Sequence, residues 1–269
     1  MENISLQNNR AFLYGDAVFE TIKILDHKIL FLEDHYFRLM SSMRILRMEI
    51  PMNFTMEFFE NEILSAAKSQ NVAHSARARI TIYRKEGGYY LPENRNIEYL
   101  ITVFEIEKQL YEIRTTEYEV DIYKDFYVSK QLLSTLKTTN RLINITGSIY
   151  AQENDLANCI LLNEEKNVVE ALNGNLFMLK NGVLSTPPTT EGCINGIMRK
   201  QILTIAKTIE TLEVQESAIS PFDLQKADEL FITNSITGIQ PITKYRKKDF
   251  DSAIANVLLT KLNAKIRLD

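Results

Sequence analysis

Gln131-Leu132-Leu133-Ser134-Thr135-Leu136-Lys137-Thr138-Thr139-Asn140 sets one lysine between two apolar stretches, where an extended run hands over to a helix. A lysine buried there is expensive. Desolvation disfavours the ammonium form and lowers its pKa, which suits a lysine that acts as a neutral nucleophile and then carries protons. Downstream stand Glu170, in Val168-Val169-Glu170-Ala171-Leu172-Asn173-Gly174-Asn175-Leu176-Phe177, and Gly196-Ile197-Met198-Arg199, which opens another helix.

An amine, a carboxylate and a helix N-terminus together describe a pyridoxal phosphate site. The amine forms a Schiff base, the carboxylate keeps the pyridine nitrogen protonated, and the helix end receives the phosphate. Each feature also has a plain alternative. A lysine at a helix start is usually exposed, and a glutamate beside two valines is often the outward position of a strand. The loop Thr186-Pro187-Pro188-Thr189-Thr190-Glu191-Gly192-Cys193-Ile194-Asn195 is different, although a Gly-rich turn that merely caps the next helix is the commoner explanation for such a turn taken alone. It brings glycines up to the next helix, whose first amides, at Ile197 and Met198, have no partner within the helix and suit a phosphate.

The 269 residues, 45% of them hydrophobic, can bury a sizeable core, and at about 150 residues per domain the length favours two domains. They are expected at 1–115 and 134–269, with 116–133 as the passage between them. A net charge of −4 offers no footprint for nucleic acid, and Lys244-Tyr245-Arg246-Lys247-Lys248 reads as a solvated loop. The first residues carry no signal pattern and no run of eighteen apolar residues occurs, so a soluble, cytoplasmic protein with no membrane partner is expected. Cys159 and Cys193 read as reduced thiols, and His27, His35 and His74 show no metal-ligand spacing, so no metal is expected.

Val18 to Ile24 alternates like a strand, Asp26-His27-Lys28 turns, and Ile29 to Leu32 returns as its hairpin partner. A helix from Glu33 carries Phe37, Met40, Ile45 and Met48 on its apolar face, and a second spans 52–69. Strands follow at 76–84 and 98–106 around the Gly87-Gly88 loop, then an extended, charged passage from 109 to 133. Beyond Lys137, helices are expected at 140–153, 197–209, 223–226 and 251–266, and a strand at 229–233. Short apolar runs between 159 and 191, punctuated by turn residues, read as a curled or barrel-like sheet.

Several stretches in this order resemble the fold-type IV pyridoxal phosphate enzymes, the class IV aminotransferase family of branched-chain and D-amino acid aminotransferases and 4-amino-4-deoxychorismate lyase. They are Tyr14-Gly15-Asp16-Ala17-Val18-Phe19-Glu20, the Lys137 segment, Glu170 with Asn175-Leu176-Phe177, and Gly196-Ile197-Met198-Arg199 after Thr186-Pro187-Pro188. The resemblance implies an α+β fold, an N-terminal α/β sandwich and a C-terminal pseudo-barrel, usually in a homodimer. It makes Lys137 the Schiff-base lysine and Glu170 the partner of the pyridine nitrogen. Arg38, the amides of Ile197 and Met198 after Gly196, and the Ser235 hydroxyl would hold the phosphate, and the Ile236 amide would lie near the substrate carboxylate.

The substrates implied are an amino acid and a 2-oxo acid, with an aminotransferase favoured and the lyase as the alternative. Lys137-Thr138-Thr139-Asn140-Arg141-Leu142 and Asn195-Gly196-Ile197-Met198-Arg199 are similar to the lyase pattern, and Leu142 stands where branched-chain enzymes have a tyrosine. Against this, Arg84-Lys85-Glu86-Gly87-Gly88-Tyr89-Tyr90 puts Tyr89 where the lyase has an arginine, and Phe19-Glu20-Thr21 is closer to the aminotransferases. The arginine and histidine carboxylate trap of the D-amino acid enzymes is missing from this loop. Arg77 and Arg79, alternating on one strand, are candidates for carboxylate recognition or, equally, solvent-facing strand charges, with Tyr89 shaping side-chain preference. A cofactor-free binding protein on the same fold is the third reading.

Overall fold

The computed structural model describes residues 6–72, 74–107, 110–114 and 116–268. The expected boundaries at 1, 115 and 269, and residue 109 where the passage was expected to begin, lie outside them. The α+β class expected from the sequence is the one found. By its contacts the chain forms two compact units, the first up to residue 109 with Leu136–Asn140, the second Leu110–Thr135 with the remainder. The Lys137 segment, which sequence reasoning placed at the head of the second domain, therefore belongs to the first unit.

The first unit runs α1 (Arg10–Tyr14), β1 (Ala17–Leu25), β2 (Lys28–Ile29), α2 (Leu32–Ile45), α3 (Met56–Ser69), β3 (Ser75–Arg84) and β4 (Ile97–Glu105). Its antiparallel sheet has the order β2-β1-β3-β4. Period-two alternation sorts the strand residues. Val18, Ile22 and Ile24 of β1 and Ala76, Ala78, Ile80 and Ile82 of β3 face α2 and α3 in one core with Leu39, Met43, Phe59 and Ile63. Phe19, Thr21 and Lys23 fall on the reverse face, opposite Thr81, Arg79 and Arg77 of β3.

Three local expectations need correction. The hairpin return is only two residues long, because Phe31 turns into the left-handed region (φ 57°) and α2 starts at Leu32. The buried stripe of α2 is His35, Leu39, Ser42 and Met43, whereas Phe37 is 61% exposed. None of the four expected residues lies in that stripe, and two of its members are polar: His35 contacts Glu20, and Ser42 Oγ donates to Arg38 O. Helix α3 starts at Met56, four residues later than expected, because Thr55 caps it, its Oγ1 accepting from Phe58 N at 3.1 Å.

The second unit contains β5 (Glu119–Ile122), α4 (Leu142–Glu153), β6 (Asn158–Leu162), β7 (Val168–Ala171), β8 (Asn175–Lys180), β9 (Val183–Thr186), α5 (Ile197–Ala206), β10 (Glu213–Glu216), α6 (Pro221–Leu224), β11 (Glu229–Asn234), β12 (Gly238–Ile242), β13 (Lys244–Tyr245), β14 (Lys248–Asp249) and α7 (Ala253–Leu268). They build two five-stranded sheets, β10-β9-β8-β11-β12 and β14-β13-β5-β6-β7. Among the described residues the strands do not pair into a closed barrel. Instead the two sheets share one core, in which Val120, Ile160 and Val168 meet Leu176, Leu230 and Ile232. Helices α5 and α7 pack on the first of these sheets. The start of α7 is held by buried Glu229, which accepts from Ile254 N at 2.8 Å and Ala255 N at 3.1 Å. The passage contains a strand, β5, with Val120 and Ile122 buried, which pairs with β6 in parallel.

Candidate active site

Lys137 sits on the edge of β1 that β2 leaves free. Phe19 N donates to Lys137 O at 2.8 Å, Thr139 N donates to Ala17 O at 3.0 Å, and Val18 faces Thr138. This pairing fixes which way Lys137 points. Opposite Phe19 in the ladder, its side chain lies on the reverse face of the sheet, with Nζ 4.4 Å from the centre of the Phe19 ring. The Arg79 guanidinium lies 3.8 Å from the same ring, and its Nε donates to Thr81 Oγ1 at 3.2 Å. Lys137 is only partly buried, where the sequence led us to expect burial. The segment contributes an edge to the sheet, so water is not excluded by layers on both sides.

Arg38 projects from α2 to the opposite, helix-covered face. Its Nε and Nη2 donate to Glu20 at 2.7 and 2.5 Å, and His35 Nδ1 is 2.7 Å from the same carboxylate. Burial alone would raise the Glu20 pKa, but the Arg38 guanidinium and the His35 hydrogen bond overcome it and hold the carboxylate down at about 2. Burial, with the nearby charges of Arg38 and Lys137, pushes His35 below its ordinary value. The imidazole is therefore neutral at pH 7 and donates from Nδ1, which leaves Nε2 buried without a hydrogen-bond partner. Glu20 and His35 were not among the residues expected at a site. Their signal was a charged residue on the core face of an alternating strand.

The second unit carries the other group of candidates. Glu170 on β7 is 5% exposed, and its Oε2 accepts from Ile194 N at 3.1 Å and Asn175 Nδ2 at 3.3 Å. Asn175 also donates to Ile194 O at 2.8 Å, so one amide joins β8, the carboxylate and the loop before α5. Gly196 is the N-cap of α5 and supplies no side-chain acceptor to the helix. A Cβ at Gly196 would run into Asn175 Oδ1. Ile197 and Met198 are the first residues of α5, and Arg199 beside them donates to Pro187 O at 2.9 Å and Glu216 Oε2 at 2.5 Å.

The turn between β11 and β12 differs from expectation in one respect. Ile236 N and Thr237 N both donate to Asn234 Oδ1, at 3.0 and 2.9 Å, an arrangement characteristic of asparagine side chains in turns. The Ile236 amide is thus already engaged. Ser235 O accepts from the Tyr111 hydroxyl at 2.7 Å, and burial raises that phenol's pKa far above its ordinary value. Thr233 Oγ1 and Thr237 Oγ1 are buried hydroxyls without partners, and sequence reasoning passed over both in favour of Ser235. Arg77 shares the face of Arg79, and Tyr89 is 83% exposed at the tip of the glycine loop.

A family model for class IV amino-transferases matches residues 17–245, and the chain belongs to that family. It is a pyridoxal phosphate-dependent enzyme. A protein of Methanocaldococcus jannaschii, provisionally named a branched-chain-amino-acid aminotransferase, is 28% identical over 96% of this chain and 88% of its own. A D-alanine aminotransferase of Listeria monocytogenes is 27% identical over 87% of this chain and 80% of its own. A crystal structure from Legionella pneumophila, provisionally named a 4-amino-4-deoxychorismate lyase, superposes with a TM-score of 0.85 at 24% identity, covering 96% of this chain and 94% of its own. That last likeness concerns the fold.

The residues present fit the cofactor. A buried carboxylate fixed by two N–H donors, a helix start whose N-cap offers its first amides no side-chain acceptor, and two unpartnered hydroxyls are groups that suit a protonated pyridine ring and its phosphate.

Proposed function

We propose that this enzyme is an aminotransferase that moves an amino group from an amino acid of branched-chain type to a 2-oxo acid. The observation that carries this reading is Tyr89. At the exposed tip of the glycine loop it stands where the lyases carry an arginine for a substrate carboxylate. The M. jannaschii relative lends further support. The lyase reading, with 4-aminobenzoate and pyruvate as products, rests on a different observation: Leu142, 75% exposed at the start of α4, replaces the tyrosine of the branched-chain enzymes. We further propose two domains joined through 116–133, a homodimer and a cytoplasmic location. No helix among the described residues is long and apolar enough to cross a membrane.

Bound pyridoxal phosphate supplies an aldehyde for an amine and a ring that accepts electrons. Lys137 would hold it through Nζ and, once displaced by the substrate amine, take the proton from the substrate α-carbon with that same nitrogen. Glu170, oriented by the Ile194 and Asn175 donors, would hold the proton on the ring nitrogen. Arg38, the α5 amides and Ser235 would bind the phosphate. Arg77 and Arg79 would receive a carboxylate.

The test is the visible spectrum of the cofactor-loaded protein mixed with single L-amino acids and no oxo acid. Loss of the visible band with one donor supports transamination and names that donor. A band that persists with every donor sinks this reading and moves the assay to aminodeoxychorismate. Lys137→Ala is expected to lower kcat by roughly 10⁴-fold or more and to abolish the visible band. A variant that kept the band would remove Lys137 from its role.

A further inference from the structure

Arg10 is buried to 2% exposure in the first turn of α1, yet no part of the chemistry above uses it. Its Nη1 donates to three consecutive carbonyls of the glycine loop, Gly87 O at 3.0 Å, Gly88 O at 3.2 Å and Tyr89 O at 2.7 Å. Its Nε is paired with Asp16 at 2.9 Å, and Asp16 is held in turn by Arg84, which donates to Leu46 O. Tyr14 completes the cluster. Its ring lies 5.0 Å from the Arg10 guanidinium and 5.8 Å from the ring of Tyr90.

Within the loop the backbone closes only weakly, with Glu93 N donating to Gly87 O at 3.4 Å and Gly88 bridging to Pro92. Gly87 and Gly88 take positive φ values of 111° and 74°, and a Cβ on Gly88 would strike Leu91 O. Such residues lose more backbone freedom on ordering than any others. Three successive carbonyl dipoles aimed at one point repel one another unless a cation stands there. The fold thus commits a buried charge to ordering a tip whose Tyr89, Tyr90 and Leu91 are 83%, 90% and 82% exposed. That tip buries nothing in its own core, so its order serves a contact made outside the core.

We propose that Arg10 is a positioning residue for specificity: by clamping the 87–89 carbonyls it fixes the side chains of Tyr89 and Tyr90 that select among amino acid substrates. The selection half rests on the reading above, in which this loop meets the substrate. The clamp half does not.

The experiment compares full-length, cofactor-loaded wild type with Arg10→Lys and Arg10→Met. Arg10→Lys keeps the charge if Arg10→Met fails to fold. Amide hydrogen exchange over 85–93 reads the clamp. KM and kcat across L-amino acids of graded side-chain size, or for aminodeoxychorismate if that is the substrate, read the selection. We expect faster exchange confined to the loop, an unchanged visible spectrum, little change in kcat, and about tenfold weaker discrimination through KM. Unchanged exchange in both variants overturns the clamp. Faster exchange with the wild-type preference intact overturns the selection role. A wild type inert toward every donor and toward aminodeoxychorismate ends the functional reading and the selection half together, while the exchange data still judge the clamp.

Discussion

Glu20 occupies a core-facing position of β1 where alternation calls for an apolar side chain, and it is 1% exposed. A lone carboxylate there would be protonated. With Arg38 and His35 against it, it stays ionised, and its pKa falls from 4.5 to about 2. A pKa depressed on folding contributes stability above the unfolded-state value, and that contribution drains away as pH falls through the folded value. For Glu20 it is roughly 3 kcal/mol at neutral pH, lost between pH 4.5 and 2. His35 is depressed too, so folding resists its protonation, and this stability begins to fall below about pH 6.5. Thermal midpoints should therefore decline in two stages on acidification. In Glu20→Gln the gap to wild type should be widest near pH 7 and narrow below pH 4.5. A constant gap from pH 7 to 3 would show that Glu20 carries no such linkage.

At the scale of elements, the junction of β7, β8 and α5 is held by one side chain. Asn175 touches Glu170 and Ile194 O, and its Oδ1 fills the space beside Gly196. Gly196→Ala should therefore displace the Asn175 amide and cost about 1–3 kcal/mol, as overpacking does. Cofactor affinity should fall with it, because the loop donor to Glu170 moves. Asn175→Ala should also weaken the cofactor, yet the double variant should be less damaged than the sum of the two, since the clash needs both groups. Cofactor titrations followed by visible absorbance on all four proteins give the coupling. Strict additivity would mean that the two residues do not interact. The glycine of this motif was legible in the sequence. Its reason was not, because the amide it must admit lies 21 positions away in the chain.

At the scale of the molecule, the first unit packs around one buried apolar cluster and the second around clusters of its own, so each unit answers for that packing. Phe59, fully buried between α3 and the first sheet, and Phe177, fully buried and stacked on Phe231 with ring centres 5.1 Å apart, lie one in each unit. Truncating either to Ala should cost about 3–5 kcal/mol. Differential scanning calorimetry should show each variant lowering the transition of its own unit. Pyridoxal phosphate at a hundredfold excess over its Kd should raise the stability of the folded protein by about 2.7 kcal/mol. A midpoint unmoved by the cofactor would contradict the fit of its site.

The sequence by itself determined which local structures form and in what order the reactive groups follow. Alternation in β1 and β3, and the lysine, glutamate and helix-start glycine were readable because they depend on neighbours within a few residues. Parts of the second unit were not. The strand β5 sat hidden in a charged passage, since its partner β6 begins 36 residues after it ends. Tertiary structure alone decided that Lys137 joins the edge of β1, that Arg38 meets Glu20, and that Arg10 grips the glycine loop. In each case the deciding fact is which partner a polar group finds. That choice is made by pairing and burial, most often between distant segments, and a local pattern of hydrophobic spacing does not encode it.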